Sequence, residues 1–151
     1  MGLTARRLFL KWLLLNALAV VLLLAAGVEY HDRIQGSSLV VIPLILAVGA
    51  FASTTAGRLC WVVGNDGFDD NKRVLHEARY LPFWAYTCQM LGILATVIGF
   101  WVLLSAGGEG TEIGDRVQEG GGVALLGTFA GVFVSLILVM EHRLIEHDLE
   151  A

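Results

Sequence analysis

Charged residues are scarce in this chain: Asp, Glu, Lys and Arg make up 16% of its 151 residues. With 56% hydrophobic residues and a mean hydropathy of +0.71, it carries more apolar surface than a soluble domain of this length can hide in one core. That excludes the soluble classes and leaves an integral membrane protein. There are two cysteines, Cys60 and Cys88, and neither belongs to a CxxC pair or another metal-ligand spacing, so both read as packing residues. The four histidines, His31, His76, His142 and His147, fall in loops or the tail on opposite sides of the membrane, and no metal site is expected. No GxSxG elbow or HExxH pair occurs, and hydroxyls inside the apolar runs have no embedded histidine or lysine to activate them. We therefore expect no catalytic residue, no cofactor and no enzyme. The glycine runs GNDG at 64–67 and GGEG at 107–110 follow no strand, which argues against a phosphate cradle. A net charge of −4 leaves no case for nucleic acid, since topology alone accounts for the basic residues.

What the chain does have is four apolar runs, at residues 8–28, 39–63, 81–106 and 121–140. Each is near the roughly 20 residues a helix needs to cross a bilayer. A backbone in lipid must satisfy its own hydrogen bonds, and these runs lack the alternation of a barrel strand. The expected fold is all-α: one membrane domain, 1–151, of four transmembrane helices. Lys11 lies at the edge of the first run, where its stem can carry the ammonium to the headgroups. Residues 1–26 also fit the pattern of a secretory leader, but the three spans that follow make them an ordinary first span.

Lys and Arg in short loops stay on the cytoplasmic side. With both termini inside, Arg6, Arg7, Lys11, Arg58, Lys72, Arg73, Arg79 and Arg143 are cytoplasmic, against Arg33 and Arg116 outside. The opposite orientation reverses that ratio of eight to two. Residues 64–80 then form a cytoplasmic linker, and 107–120 form a Gly-rich outer loop. Its Glu109, Glu112, Asp115 and Glu119 face only Arg116, and such a loop can concentrate cations at a channel mouth.

The third and fourth runs carry stripes of small residues. Gly92, Thr96, Gly99 and Leu103 recur at steps of four, three and four, so they share a helix face. Gly120, Ala124, Gly127, Gly131 and Ser135 repeat in the same way, with Thr128 beside Gly127. Helix packing explains such stripes by itself, because small residues let backbones approach and a threonine can bond a carbonyl one turn back. The functional alternative has the stripes partly lining a channel in an oligomer, with Thr96 and Thr128 at similar depth in the outer half of the membrane. Asn16, the main polar exception in the outer runs, is expected to bond a neighbouring helix.

These residues carry a resemblance. GILATVIG at 92–99 resembles a segment of the MotA/TolQ/ExbB proton-channel superfamily, and ALLGTFAG at 124–131 resembles its last transmembrane helix, most closely that of the MotA branch. Four spans with both termini inside also resemble MotA rather than the three-span TolQ and ExbB. Gln89 stands where the family often has proline, and Val123 where ExbB and TolQ carry a glutamate. The large cytoplasmic region of MotA is reduced here to the 64–80 linker and a short tail.

The resemblance implies a multi-pass protein of a bacterial-type cytoplasmic (inner) membrane. It would be a homo-oligomer, a pentameric ring around two helices of a single-span partner of the MotB/ExbD/TolR kind, whose membrane aspartate carries protons or sodium. Thr96 and Thr128 correspond to hydroxyls lining that ring. Apart from residues at helix ends, no carboxylate is expected in any span, so the partner would supply the acid. Two rivals from other classes are a non-conducting four-helix scaffold or regulator and a holin-like pore that assembles alone.

Overall fold

A computed structural model describes residues 3–30, 38–62, 69–105 and 113–150. All the described elements are helices: α1 (Leu3–Tyr30), α2 (Ser38–Val62), α3 (Asp69–Ala78), α4 (Leu81–Ser105) and α5 (Ile113–Glu150). Among the described residues three stretches are long and apolar enough to cross a membrane: Val41–Trp61, Val74–Ser105 and Ala124–His147. They correspond to the last three expected spans; the apolar run 8–28 lies within α1 and is not among them.

Residue pairings fix the helix directions. Phe9 meets Trp61 and Trp12 lies over Gly57, so α1 and α2 are antiparallel. Gly49 abuts Val134 and Ser53 reaches Glu141, so α2 and α5 are parallel. Cys88 meets Gly131 and Ala95 meets Gly127, so α4 and α5 are antiparallel. The bundle therefore runs up, down, up, down, with the start of α1 and the end of α5 at the same end.

Burial follows the rule for helices in lipid, where close backbone approach rather than the hydrophobic effect holds helices together. The core is rich in small side chains, including Ala52, Ala56, Cys60, Ala85, Cys88, Ala95 and Ala130. Large apolar groups point outward: Leu14, Trp101, Leu104 and Leu125 are 71%, 72%, 73% and 75% exposed. Both cysteines are buried, as expected of packing residues.

Two boundaries differ from the sequence reading. The 64–80 linker contains α3, which buries Val74 and Ala78 while His76 and Glu77 face outward. Val74, Ala78 and Leu81 lie at helical spacing, so the apolar stripe passes from α3 through a turn at Arg79 and Tyr80 into α4. Backbone bonds from Tyr80 N–H to Glu77 O (3.2 Å) and from Trp84 N–H to Tyr80 O (3.1 Å) hold that turn. Pro82 is tolerated in the first turn of α4, where its missing N–H would have had no partner. The second difference is α5, a 38-residue helix, about 57 Å long at 1.5 Å per residue against a hydrocarbon core of about 30 Å. It begins at Ile113, inside the expected outer loop, and continues through the expected tail. Val134, Leu138, Glu141 and Ile145 are all buried at steps of four, three and four. The expectation that carboxylates occur only at helix ends is thus overturned, because Glu141 lies within the apolar stretch Ala124–His147 and is 1% exposed.

Candidate functional site

The α4–α5 interface is built from the two small-residue stripes. A Cβ on Gly131 would come within 2.7 Å of Cys88 O and 2.8 Å of the Gly92 Cα. One on Gly92 would sit 3.1 Å from both Gly127 O and the Gly131 Cα, and one on Gly127 would fall on the Ala95 side chain. Gly92, Gly127 and Gly131 are therefore where the two backbones touch, and no other residue fits without moving a backbone. Gly99 is buried too, while Ala124 and Ser135 are half-buried.

This close approach brings Thr96 and Thr128 together. Their hydroxyls are hydrogen-bonded to each other. Thr96 Oγ1 also reaches Gly92 O at 3.2 Å, and Thr128 Oγ1 reaches Ala124 O at 2.7 Å, each one turn back on its own helix. Both side chains are half-buried. Two hydroxyls supply two hydrogens, and three contacts compete for them, so at rest both hydrogens are engaged and the pair has lone pairs to spare.

The acidic residues of the expected outer mouth are less defined. Glu109 and Glu112 lie outside the described residues; Asp115 and Glu119 fall on the first turns of α5, with side chains outside the described set. Acidic residues at a helix start also complement the helix dipole. Among the described residues no cluster of His, Cys, Asp or Glu could hold a metal ion.

A second polar cluster contains Asn16, which bonds neighbouring helices as expected, together with Ser53 and Glu141, to which the sequence pattern assigns no role. Asn16 on α1, Ser53 on α2 and Glu141 on α5 converge at one level. Asn16 Nδ2 donates to Glu141 Oε1 at 2.7 Å and to Trp12 O at 3.1 Å, and Ser53 Oγ lies 2.6 Å from Glu141 Oε1 and 2.8 Å from Asn16 Oδ1. The signal in the sequence was the continuing 134, 138, 141, 145 periodicity, together with one lone asparagine and one serine opposite it.

Antiparallel helices with a hydroxyl pair between them and a buried acid behind them define a small multi-helix membrane protein with intramembrane polar sites. A family model described as the MotA/TolQ/ExbB proton channel family matches residues 66–151, more than half of the chain, and the chain belongs to that family. The match takes in α3, α4 and α5 whole, including the Thr96–Thr128 pair. No curated protein and no solved structure matches the chain.

Proposed function

We propose that this protein is the ring-forming subunit of an ion-motive-force-driven motor or energy-transducing channel. It spans a cytoplasmic (inner) membrane four times with both termini inside, assembles as a homo-oligomer, most simply a pentamer, and places α4 and α5 around the central axis. A single-span partner of the MotB/ExbD/TolR kind supplies the aspartate that carries protons or sodium. The observation that carries this reading is the Thr96–Thr128 hydroxyl pair, in the part of the chain that matches a proton-channel family. The pair can accept a hydrogen from water or from a protonated carboxylic acid, and a hydroxyl that gives up its bond to a carbonyl of its own helix can donate to the partner's aspartate or its water. Glu109, Glu112, Asp115 and Glu119 would gather cations at the outer mouth.

One observation favours a second reading, a non-conducting scaffold. Each threonine hydroxyl also bonds a carbonyl of its own helix, as helix packing alone requires. Reconstitution in vesicles under an imposed proton or sodium gradient separates the readings. Ion flux is expected only when the single-span partner is present. Flux without any partner would identify a self-assembled pore, and no flux with the partner stably bound would identify a scaffold.

A further inference from the structure

Glu141 is the buried acid that the proposed ion path does not use. It lies thirteen residues beyond Thr128 on α5, about 20 Å along the helix. Its contacts come from other helices, and a count of their hydrogens decides its state. The Asn16 amide is oriented by Trp12 O, a carbonyl that can only accept: the amide atom 3.1 Å from it is Nδ2, since the flipped amide would set oxygen against oxygen there. Asn16 Oδ1 is therefore the atom facing Ser53.

Ser53 Oγ then stands 2.8 Å from one acceptor, Asn16 Oδ1, and 2.6 Å from a second, Glu141 Oε1. A serine hydroxyl has one hydrogen. With an ionised carboxylate, one of the two contacts has no hydrogen in it, and two oxygen lone pairs face each other. A proton on Glu141 Oε1 removes the conflict. Glu141 then donates to Ser53 Oγ, Ser53 donates to Asn16 Oδ1, and Asn16 Nδ2 donates back to Glu141 Oε1. Each group gives one bond and takes one in a closed ring, the arrangement in which successive hydrogen bonds strengthen one another.

The surroundings fit an uncharged acid. Glu141 is 1% exposed and Ser53 8%. Trp12 seals the site from the α1 side, its indole seated on Gly57 of α2, where any Cβ would fall within 2.5 Å of the ring. Trp12 Nε1 approaches the carboxyl without reaching hydrogen-bond geometry, and it and Glu141 Oε2 are both buried. Among the described residues, the side chains that face the carboxyl from the other helices are Trp12 and Asn16 of α1 and Ser53 of α2, none of them charged. Among the described side chains, the basic residues of these helices, Arg7, Lys11 and Arg58, are exposed, as are His76, Glu77 and Arg79 near α3. On α5 itself, Arg143 is exposed and pairs with Glu146 at 3.2 Å, His147 is exposed, and His142 is half-buried.

We propose that Glu141, Ser53 and Asn16 form a proton-binding site between α1, α2 and α5, separate from the threonine pair, in which a bound proton on Glu141 clamps α1 to the rest of the bundle. Removing the proton sets Ser53 against two acceptors and loosens α1. The inference does not rest on ion conduction, and its test needs neither partner nor flux.

The test is infrared spectroscopy of the full chain in lipid vesicles. At neutral pH the wild type should show the carbonyl stretch of a protonated carboxylic acid. The band should shift in D2O and on carboxyl-13C glutamate labelling, and it should be absent from Glu141→Gln. Raising the pH should convert it to carboxylate bands while a cysteine-free chain carrying one cysteine at Ala19, buried on α1, becomes open to a maleimide. Ser53→Ala, which removes the acceptor of the acid hydrogen, should keep the band but move it to higher frequency, and this result holds even if Glu141→Gln fails to fold. Only carboxylate bands at neutral pH, a band that survives in Glu141→Gln, or its replacement by carboxylate on adding sodium at constant pH would each overturn the proposal.

Discussion

The two polar clusters of this bundle differ in what they lack. Thr96 and Thr128 sit between α4 and α5, share two hydrogens among three contacts and tolerate the shortage, since each hydroxyl can leave one weak bond unmade. Glu141, Ser53 and Asn16 sit between α1, α2 and α5, also run one hydrogen short when the acid is ionised, and tolerate it poorly, because the carboxyl and the serine are buried. A half-exposed pair of weak acceptors suits transient exchange with a passing group. A sealed ring with a place for one proton suits holding it. The same shortage thus serves transit in one place and retention in the other, and the difference lies in exposure and in the acidity of the group that completes the ring.

The largest effect is expected at the contact that positions the first cluster. Gly131→Val would drive a side chain into Cys88 O and the Gly92 Cα, both backbone atoms, and should cost about 3 kcal/mol or more, read as a lower unfolding midpoint in mixed detergent with loss of the assembled oligomer. Gly122→Ala is the control: nothing lies within 4 Å of its Cβ position, so stability should hold or rise by up to about 1 kcal/mol. Equal losses in both would show that the α4–α5 contact is not special.

Next in size is Ser53→Ala, which strands Asn16 Oδ1 and takes a partner from Glu141. It should lower stability by about 1–3 kcal/mol in the same unfolding assay. Thr96→Val removes a hydroxyl whose partners keep alternatives, and should cost only about 0.6 kcal/mol, the average for a hydrogen bond between membrane helices. If the order of these two were reversed, the contrast between a sealed and an open cluster would fail.

Glu141→Gln tests the same ring from its acid side. The amide N–H can donate to Ser53 Oγ as the acid does, but its nitrogen cannot accept from Asn16 Nδ2, so one bond of the ring is lost and stability should fall by about 0.5–1.5 kcal/mol. A loss of several kcal/mol would mean that the site had been built for a charge.

The stripes, the apolar runs and the family resemblance are all legible in the sequence, because lipid imposes one solvent on the whole chain and period 3.6 survives in it. Gly92, Gly127 and Gly131 could be picked out by spacing alone, and so could the level of Thr96 with Thr128. Two kinds of information were hidden. Hydropathy hides amphipathic segments at the membrane edge, so α3 read as a linker although Val74, Ala78 and Leu81 already had helical spacing. It also treats any carboxylate as an end marker. Glu141 therefore closed the fourth run at Met140, while the buried stripe continued to Ile145. What makes Glu141 tolerable in the interior is supplied by Asn16 and Ser53, 125 and 88 positions away, and no local pattern joins them.

The most direct measurement of the proposed ion path is flux through the reconstituted subunit and its single-span partner, comparing wild type with Thr96→Val, Thr128→Val and the double variant at matched oligomer content. Valine keeps the shape of threonine and removes the hydroxyl. Flux should fall in each single variant and further in the double variant, with the oligomer intact in all three. Undiminished flux in the double variant would contradict the path and leave the hydroxyl pair as helix packing.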